Sequence, residues 1–559
     1  MLNSQQTIAV NVSGHASVIA IPGSGKTHVL CQRASRILNG DATTKIAAVT
    51  FSNDSAKELE NRINSVVDVA KNRLMVGTFH SFCLKILNST GKSKLINESE
   101  QRSILHNIFT SYGGDKFDDC LSVVDMYKST FKPDFKKFGY ELIYNEYQKF
   151  LLKESLIDFA DLLKSAVIQI QHNPSLRLNC THLLVDEFQD TNEIQYQFIM
   201  EHAEIAEIMV VSDDDQSIYS FRNALGYSGL KKIEEDLKAK RILLSDNYRC
   251  HHEILSAADC VIRNNNNRFE KTLVAAKGEG GSTEIRSFED IEDESSFIVD
   301  EIKKHRNVSW GILARNNKQL DLIENFLLNA NIDFYRKDKK LLWDLKIITV
   351  YTSLIKSVHD ANNFGLIQIF YLMGLNHQDI TDLQSLTDNQ LIHLPYKSDE
   401  ITLSKNKTEK INDFFILFQG WRKQTKKNRF ILVLQSISHW LKKFCKSDME
   451  RSTLDFACNT LSKLKGGLGN RVNATRFLKK KMPDSNIKLM TLHSSKGLEF
   501  DHVWMLGLND KHIPNKESPV QEERRLFYVG MTRARKSLIM SYHEEIPSRF
   551  LSETDVFIN

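Results

Sequence analysis

The chain has 559 residues, which is too long for one hydrophobic core and favours about three to four domains. A hydrophobic content of 41% and a charged content of 26% are ordinary for a globular protein and argue against a disordered chain. The net charge of +4 is too small to indicate a nucleic-acid partner by itself.

The charge is unevenly distributed along the chain. Residues 397–481 contain 20 lysines and arginines against 7 aspartates and glutamates, a net charge of +13, so the remainder is acidic. Such asymmetry favours a segment that faces a polyanion. A solvated, lysine-rich helical surface would give the same composition and is the alternative interpretation of this segment.

Cysteine usage and hydropathy indicate a cytoplasmic protein with no membrane partner. The eight cysteines form no C-x-x-C pair, so no zinc ribbon, iron–sulfur site or disulfide framework is predicted. The N-terminus lacks a charged-then-apolar signal, and no run approaches 18 apolar residues, the length that a spanning helix needs.

The first predicted elements are a strand that ends at Ala20, a turn through Pro22, Gly23 and Gly25, and a helix after it. A glycine turn before a helix points backbone N–H groups into one concavity, where a polyphosphate fits. Lys26 would reach the β- and γ-phosphates, and the Thr27 hydroxyl would hold Mg²⁺. The motif G-x-x-x-x-G-K-[ST] has alanine at its first glycine, position 20. Alone, the stretch could be a structural glycine turn.

Two further strands with polar or aromatic ends follow, at 46–51 and 76–82. Strands that alternate with helices predict a parallel, doubly wound sheet whose ligands sit at the carboxyl ends of its strands. Phe51 and Phe79 would therefore lie on the rim that carries the phosphate loop, although core packing is the alternative for each ring. The alternation stops over 91–154, which is predicted to be a helical insertion.

Asp186 and Glu187 directly follow the apolar run Leu183–Val185. An aspartate at the end of such a strand can hold Mg²⁺ through water, and the next glutamate can orient and deprotonate an attacking water. Paired acids could otherwise cap a helix, but the phosphate loop upstream favours the catalytic interpretation.

Another strand, at 210–212, runs into a polar turn that holds Gln216, Tyr219, Phe221 and Arg222. Gln216 could sense a γ-phosphate. The mixture of rings and a cation suits single-stranded nucleic acid, where stacking contributes about 1–3 kcal/mol per base.

The second half repeats the α/β character around a long helical stretch. Strands are predicted near 310–314 and 502–508, with lysine-rich helical sequence over roughly 350–485 between them. A helix that begins near 522 ends with Arg533 and Arg535.

In this order the motifs resemble those of UvrD/Rep/PcrA-type superfamily 1 DNA helicases. The resemblance extends from Leu2 to Leu551 and rests on Gln6, the phosphate loop Ala20–Thr27, Thr50–Asn53, Gly77–Ser81, Asp186–Asp190, Asp213–Arg222, Asn247–Arg249, Thr491–Phe500, Val529–Ala534 and Pro547–Leu551.

The resemblance implies an α/β fold of two RecA-like P-loop domains, with parallel sheets flanked by helices and a mainly helical insertion in each. Its expected boundaries are 1–90 with 155–240 for the first domain, 91–154 for its insertion, 241–348 with 486–559 for the second domain, and 349–485 for the basic insertion.

The resemblance also implies roles for single residues. Glu187, Gln216 and two arginine fingers, Arg249 and Arg533, would be catalytic, while Thr27 and Asp186 would hold Mg²⁺. ATP would contact Gln6, Ala20, Pro22, Gly23, Ser24, Gly25, Lys26, Thr27, His28, Tyr248 and Glu499. Single-stranded DNA would contact Phe51, Asn53, His80, Tyr219, Phe221, Arg222 and His493.

The chain departs from the family pattern at several positions. His28 stands where an arginine usually packs on adenine, Phe221 replaces a usual tryptophan, and Asn223 replaces a usual glycine. Both insertions also look short.

The leading functional prediction is an ATP-dependent 3′→5′ single-stranded DNA translocase and helicase that unwinds duplex junctions in DNA repair, replication or recombination. The alternative is a DNA-stimulated ATPase subunit of a nuclease-containing phage-defence complex, because compact UvrD-like subunits of systems such as Gabija resemble this chain in size. A nuclease or a repair protein is therefore a possible partner.

Overall fold

The structure is a computed structural model of the chain. It describes residues 2–67, 72–90, 94–112, 117–220, 223–337, 343, 345–360, 363–388, 390–401, 403–445, 447–478, 485–543 and 546–557.

Sixteen strands are present in the described residues. In chain order they are β1 Ala16–Ala20, β2 Ile46–Thr50, β3 Leu74–Thr78, β4 Lys94–Leu95, β5 Leu156–Ile157, β6 His182–Val185, β7 Glu207–Ser212, β8 Lys240–Leu244, β9 Asp246–Asn247, β10 Val274–Ala275, β11 Ser282–Ser287, β12 Trp310–Ala314, β13 Tyr335–Arg336, β14 Ile487–Thr491, β15 Phe500–Met505 and β16 Ala534–Tyr542.

The α-helices of the same residues number 23. They are α1 Ser4–Asn11, α2 Lys26–Gly40, α3 Asn53–Val66, α4 Phe79–Thr90, α5 Glu98–Ser111, α6 Phe117–Lys128, α7 Phe135–Phe138, α8 Glu141–Lys153, α9 Phe159–His172, α10 Glu193–Met200, α11 Gly226–Leu237, α12 His252–Ile262, α13 Ile291–Lys304, α14 Asn317–Asn329, α15 Lys346–Asp360, α16 Asn363–Leu372, α17 His377–Leu386, α18 Lys405–Lys426, α19 Phe430–Leu441, α20 Asp448–Lys463, α21 Leu468–Leu478, α22 Val520–Met531 and α23 Arg549–Ser552.

The first sheet is parallel, in the order β3-β2-β6-β7-β1-β8. Its central strands are continuous apolar runs because helices cover both faces, and two separate clusters of buried side chains form on those faces. The strand order reverses direction beside β1, so the carboxyl edge there is the place where a ligand is expected. The phosphate loop, Phe51, Asp186 and Asp213 all follow strands at this edge.

The second sheet is also parallel, in the order β11-β16-β15-β12-β14-β13. Two clusters of buried side chains cover its faces. Ile218, which belongs to the turn after β7 of the first sheet, is buried in one of them. The first half of the chain is thereby anchored in the core of the second. With the first sheet, this arrangement confirms the α/β fold with parallel sheets flanked by helices.

The expected boundary between the halves, after residue 240, differs from the structure. Residues 241–244 form most of β8, which pairs with β1 at the edge of the first sheet. The reason is burial, since Ile242 and Leu244 pack into the cluster beneath that sheet.

The two helical segments share one hydrophobic core. Helices α5, α6 and α8 bury side chains in the same cluster as α15 to α21. A polar tether crosses between them as well, because the Glu154 carboxylate accepts hydrogen bonds from Asn363 Nδ2 at 3.3 Å and from Gln384 Nε2. The two segments are therefore packed as one layer of helices.

In the part of the chain that the structure describes, no helix is long and apolar enough to cross a bilayer.

Gly365 in α16 supplies a test of this helical packing. A Cβ at this position would overlap the Ser353 carbonyl oxygen and the Ser357 hydroxyl of α15. We expect Gly365→Ala to lower stability by about 1–3 kcal/mol, the usual cost of overpacking, when thermal or urea unfolding is measured. Gly420→Ala is the control, because Gly420 of α18 has open space around its Cβ position and alanine favours helix by about 0.5–1 kcal/mol. Equal melting temperatures for the two variants would contradict the packing.

Candidate nucleotide site and nucleic-acid track

The phosphate loop joins the buried end of β1, at Ala20, to α2. Gly25 caps α2 in the left-handed region, with φ of 81°, and contributes no side chain to cap the first-turn N–H groups. Thr27 is half-buried in that first turn. The Ser24 hydroxyl is buried without a hydrogen-bond partner. The loop therefore presents donors and the positive end of a helix to one point, as an anion site requires.

Residues of the second half of the chain pack directly on this loop. Asn247 Nδ2 donates to the Pro22 carbonyl oxygen at 2.6 Å, and the Tyr248 N–H donates to the Gly23 carbonyl oxygen at 2.9 Å. A Cβ at position 23, where φ is 66°, would lie 2.6 Å from Arg249 Cβ. Only glycine allows this approach, which brings Arg249 beside the phosphate loop.

Gln6 braces the phosphate loop from the other side. Its Nε2 donates to the Ser24 carbonyl oxygen at 3.0 Å, its Oε1 accepts from the Asn3 N–H at 3.1 Å, and only 4% of the residue is exposed. Asn3 Nδ2 in turn donates to the Tyr248 hydroxyl at 2.9 Å. The Tyr248 ring is 45% exposed, and His28 is exposed on α2, so both side chains remain accessible beside the loop.

Lys26 and Glu187 form the charged centre of the site. Lys26 Nζ lies 3.2 Å from Glu187 Oε2. Burial by itself lowers the pKa of Lys26, but the neighbouring carboxylates, Glu187 foremost, outweigh it and raise that pKa. Burial likewise raises the pKa of Glu187, yet the cations of Lys26 and Lys496 reverse the effect and lower it to about 2. Glu187 is thus ionised at neutral pH, as a general base must be.

Asp186 precedes Glu187 and accepts a hydrogen bond from its N–H at 2.9 Å. Burial, and then the Glu187 carboxylate, raise the pKa of Asp186 to about 7. Two adjacent acids, Asp186 buried and Glu187 half-buried, make this spot rich in negative charge. A cation placed beside Asp186 would be attracted there.

A chain of hydrogen bonds links the two halves through Gln216. Its Nε2 donates to Asp213 Oδ2 at 2.7 Å, and its Oε1 accepts from Arg533 Nη2 at 2.9 Å. Burial, and then the nearby Arg249 cation, lower the pKa of Arg533 to about 9. The Gln216 amide therefore connects the turn after β7 to Arg533, which lies just after the end of α22.

Arg249 and Glu499 form an ion pair at the same cleft. Arg249 Nε donates to Glu499 Oε2 at 2.7 Å, Arg249 Nη1 donates to the Thr532 carbonyl oxygen at 3.2 Å, and Arg535 also donates to Glu499. Burial raises the pKa of Glu499, but the Arg535 hydrogen bond and the Arg249 charge outweigh it and lower the pKa to about 2. Glu499 is placed to hold both arginines in position.

Three consecutive acids, Asp213, Asp214 and Asp215, cluster closely enough to suggest a metal site. Lys271 Nζ lies 3.0, 2.7 and 2.7 Å from their carboxylates, and Arg268 makes two hydrogen bonds to Asp215 at 2.9 and 2.8 Å. Burial by itself lowers the pKa of Lys271, but the three carboxylates raise it well above its ordinary value. These two cations compensate most of the negative charge of the three carboxylates, which favours a structural role for the cluster.

Lys496 is a second bridge between the halves. Its Nζ donates to Asp190 Oδ2 at 2.5 Å and to the Gln216 carbonyl oxygen at 2.8 Å, and it lies 5.1 Å from the centre of the Tyr219 ring. Burial raises the pKa of Asp190 to about 6. Lys496 thereby joins Asp190 to Tyr219, one of the residues expected to contact DNA.

The residues expected to contact DNA fall into two groups on the rim of the cleft. Phe51 is 38% exposed and packs edge-on against Phe79, and Asn53 is exposed at the start of α3. His80 is half-buried against Phe159, and burial lowers its pKa.

Tyr219 and His493 are half-buried in the second group, near Lys496. Phe221 and Arg222 lie outside the described residues.

Sequence reasoning missed a set of bracing side chains: Asn247, Arg268, Lys271 and Lys496. Asn247 and Lys496 lie inside recognised motifs, so their motif positions were the available signal. Arg268 and Lys271 lie in a segment without any pattern, and only the acidic run 213–215 indicated that buried cations were needed.

The fold and the site define a P-loop nucleotide hydrolase with two RecA-like domains, whose cleft is lined from both domains. Residues 2–238 match the UvrD/REP helicase N-terminal domain, and residues 242–545 match the UvrD-like helicase C-terminal domain. The chain belongs to the UvrD/REP helicase family, and it is an enzyme of the superfamily 1 helicase class.

Similar proteins cover nearly the whole chain. The "ATP-dependent DNA helicase Rep" of Buchnera aphidicola subsp. Acyrthosiphon pisum is 28% identical over 99% of this chain and 98% of its own length. The protein of the same name from the Schizaphis graminum subspecies is 29% identical over 99% and 96%. The "ATP-dependent DNA helicase PcrA" of Staphylococcus epidermidis strain RP62A is 27% identical over 99% and 86%.

Glu187 and Lys26 supply a first test of the site. We expect Lys26→Ala to lose nucleotide binding, and Glu187→Gln to bind nucleotide but hydrolyse it at least ~100-fold more slowly, the usual scale for losing a general base. Steady-state hydrolysis and nucleotide binding are the measurements. Glu60→Gln, an exposed acid of α3, is the control. Normal turnover in Glu187→Gln would refute the assignment.

Lys271 supplies a test of the neutralised acid cluster. We expect Lys271→Met to lower the free energy of unfolding by about 3–5 kcal/mol, because it leaves buried carboxylates without their partner. Lys303→Met is the control, since the Lys303–Asp300 pair on α13 is exposed on both sides and such pairs contribute about 0–1 kcal/mol. Denaturant unfolding of both variants gives the comparison. Equal stabilities would show that the acids do not depend on Lys271.

Proposed function

We propose that this helicase uses ATP hydrolysis to move 3′→5′ along single-stranded DNA and to separate duplex DNA ahead of it. The observation that carries the proposal is the hydrogen bond between Gln216 and Arg533, at 2.9 Å across the cleft. Because the two residues belong to different domains, any group that changes their contact also changes how the domains meet. The names of the similar proteins support DNA as the track, and the family resemblance supports 3′→5′ as the direction.

The residues of the cleft fit ATP as substrate with Mg²⁺. The orphaned Ser24 hydroxyl, the uncapped start of α2 and the glycines at 23 and 25 form a cradle that a polyphosphate can enter. Thr27 and Asp186 would hold Mg²⁺, as in other P-loop sites. When bound, Mg²⁺ supplies charge neutralisation of the phosphates.

Hydrolysis would then proceed through side chains of both domains. Lys26 exchanges its contact with Glu187 for the substrate phosphates, which frees the Glu187 carboxylate to take a proton from the attacking water. Glu187 loses its nearest cation at that moment, so its pKa rises and it becomes a stronger base. Arg249 and Arg533 stabilise the charge that develops on the transferred phosphoryl group, in the manner of arginine fingers.

Movement along DNA would follow from the links to the track. Lys496 contacts Asp190 and the Gln216 backbone on one side and the Tyr219 ring on the other. A change at Gln216 therefore reaches a ring at the rim of the cleft. Phe51, Asn53, His80, Phe221, Arg222 and His493 would complete the single-strand track by stacking and polar contacts.

The biological setting has two candidates. One is repair, replication or recombination with a duplex junction as substrate. The other is a DNA-stimulated ATPase within a nuclease complex of the Gabija kind, with little unwinding by the isolated chain. The second candidate is retained because the two short insertions share one core, which leaves less independent surface for handling a duplex.

A strand-displacement experiment tests the function and separates these candidates. Duplexes with a 3′ or a 5′ single-stranded tail are mixed with the protein and ATP, and the released strand is measured. We expect release only from the 3′-tailed duplex and none with Glu187→Gln. Hydrolysis that is stimulated by single strands without release from either duplex would favour the partner-dependent ATPase. Release from the 5′-tailed duplex alone would refute the proposed direction.

The arginine fingers supply a further test. We expect Arg249→Ala and Arg533→Ala each to reduce kcat by ~10³ or more with a much smaller effect on nucleotide binding, because such residues act on transition-state charge. Arg549→Ala is the control, as Arg549 is an exposed arginine of the second domain. Melting temperatures are compared with the wild type. Unchanged kcat in a folded finger variant would refute the role.

A further inference from the structure

A cavity of about 880 Å³ lies where the two insertions meet, outside the nucleotide cleft. One wall comes from the end of α8 and from β5, and the other from α16 and α18. Ligand sites in proteins usually enclose about 300–1,000 Å³. The cavity, called here the insertion cavity, therefore has the size of a small-molecule site.

The insertion cavity is strongly basic. Five cations line it: Lys94 and Lys153 from the first insertion, and Arg422, Lys423 and Lys426 from α18. Among the described residues, Glu154 is the one acid in its lining. The cavity thus concentrates positive charge on a concave surface, which raises the local concentration of anions.

The three α18 cations that line the cavity are not paired with any carboxylate of the residues that the structure describes. Lys407, on the same helix, pairs with Asp379 at 2.5 Å. Within the described residues, Arg422, Lys423 and Lys426 form no such ion pair. Glu154 is occupied by the amides of Asn363 and Gln384. Cations that converge on one cavity without a protein carboxylate beside them attract an anion from solution.

The chemistry of the lining favours phosphate. Arg422 offers a planar fork that binds phosphate oxygens in pairs, and the lysines add point charges. Residues 422 and 426 share one face of α18 because they are one helical turn apart. Phe150, Phe364 and Phe418 form an apolar wall against which a flat ring can pack.

The volume favours a small ligand over a duplex. A cube of 880 Å³ has an edge of about 10 Å, whereas the major groove of B-DNA alone is about 12 Å wide. We propose that the insertion cavity is a second phosphate-binding site that takes a ligand of the nucleotide or oligophosphate class. Because both insertions line the cavity, the ligand bridges them and stabilises their packing.

Calorimetric titration with inorganic tripolyphosphate tests the site. The full chain carries Lys26→Ala throughout, so that the phosphate loop does not contribute. Arg422→Gln, Lys423→Gln and Lys426→Gln together form the cavity variant. The control combines Lys405→Gln, Lys410→Gln and Lys427→Gln. It removes the same charge from exposed residues in or next to α18 that do not line the cavity. We expect one bound tripolyphosphate, at least 10-fold weaker binding in the cavity variant and at most 2-fold weaker binding in the control.

Gln419→Trp tests the cavity without changing its charge. Gln419 is an exposed residue of α18 in the lining, so a tryptophan there would occupy part of the cavity and weaken tripolyphosphate binding while the melting temperature stays the same. Equal tripolyphosphate affinity in the cavity and control variants would overturn the proposal, as would binding that Gln419→Trp leaves unchanged.

A blunt-ended duplex is the second probe. Duplex affinity should fall equally in the cavity and control variants, since both remove three positive charges. A selective loss of duplex binding in the cavity variant, without any tripolyphosphate binding by the parent protein, would assign the cations to a DNA backbone and overturn the small-ligand site.

Discussion

The nucleotide cleft depends on a charge balance between carboxylates of the first domain and cations of both domains. Buried acids are costly unless they are paired, and this cleft gathers six acids in two short segments, five of them buried and Glu187 half-buried. The acids are Asp186, Glu187, Asp190, Asp213, Asp214 and Asp215, and the cations that face them are Lys26, Arg268, Lys271 and Lys496. Three of those cations, Arg268, Lys271 and Lys496, lie in the second domain. Their pairing with the acids of the first domain therefore links the two domains.

The same charge balance holds Glu187, the proposed general base, in a fixed position. Glu187 has φ of 52°, in the left-handed region, which is unfavourable for a residue with a side chain and persists at functional sites that over-determine it. The contacts that fix it are the Lys26 ion pair and a hydrogen bond from Gln189 Nε2 at 2.5 Å. Its carboxylate therefore keeps one orientation and one charge state before the substrate arrives.

The helical layer is built on a different principle from the cleft. Its cohesion comes from one apolar core to which both insertions contribute, so hydrophobic burial rather than charge holds them together. Some charges of this layer are paired, as Lys128 is with Asp158 and Asp161, whereas cations from both insertions face each other in the insertion cavity. The molecule thus contains a cleft whose charges are largely matched internally and an insertion cavity whose cations are accessible to a ligand.

The α/β fold class, the phosphate loop and the pair of acids proposed to be catalytic could be predicted from the sequence, because local patterns encode them. One pattern is the glycine turn between a strand and a helix at Gly23 and Gly25, and another is the pair of acids after an apolar run at Asp186 and Glu187. Each can be recognised within ten residues. The contacts between distant groups could not be predicted in this way and are visible only in the folded chain. The pairing of Lys271 with Asp213, of Arg533 with Gln216, and of β8 with the first sheet depends on chain segments far apart in sequence. Such contacts leave no periodic signal, because a buried charge constrains its partner's position in space and not its position along the chain.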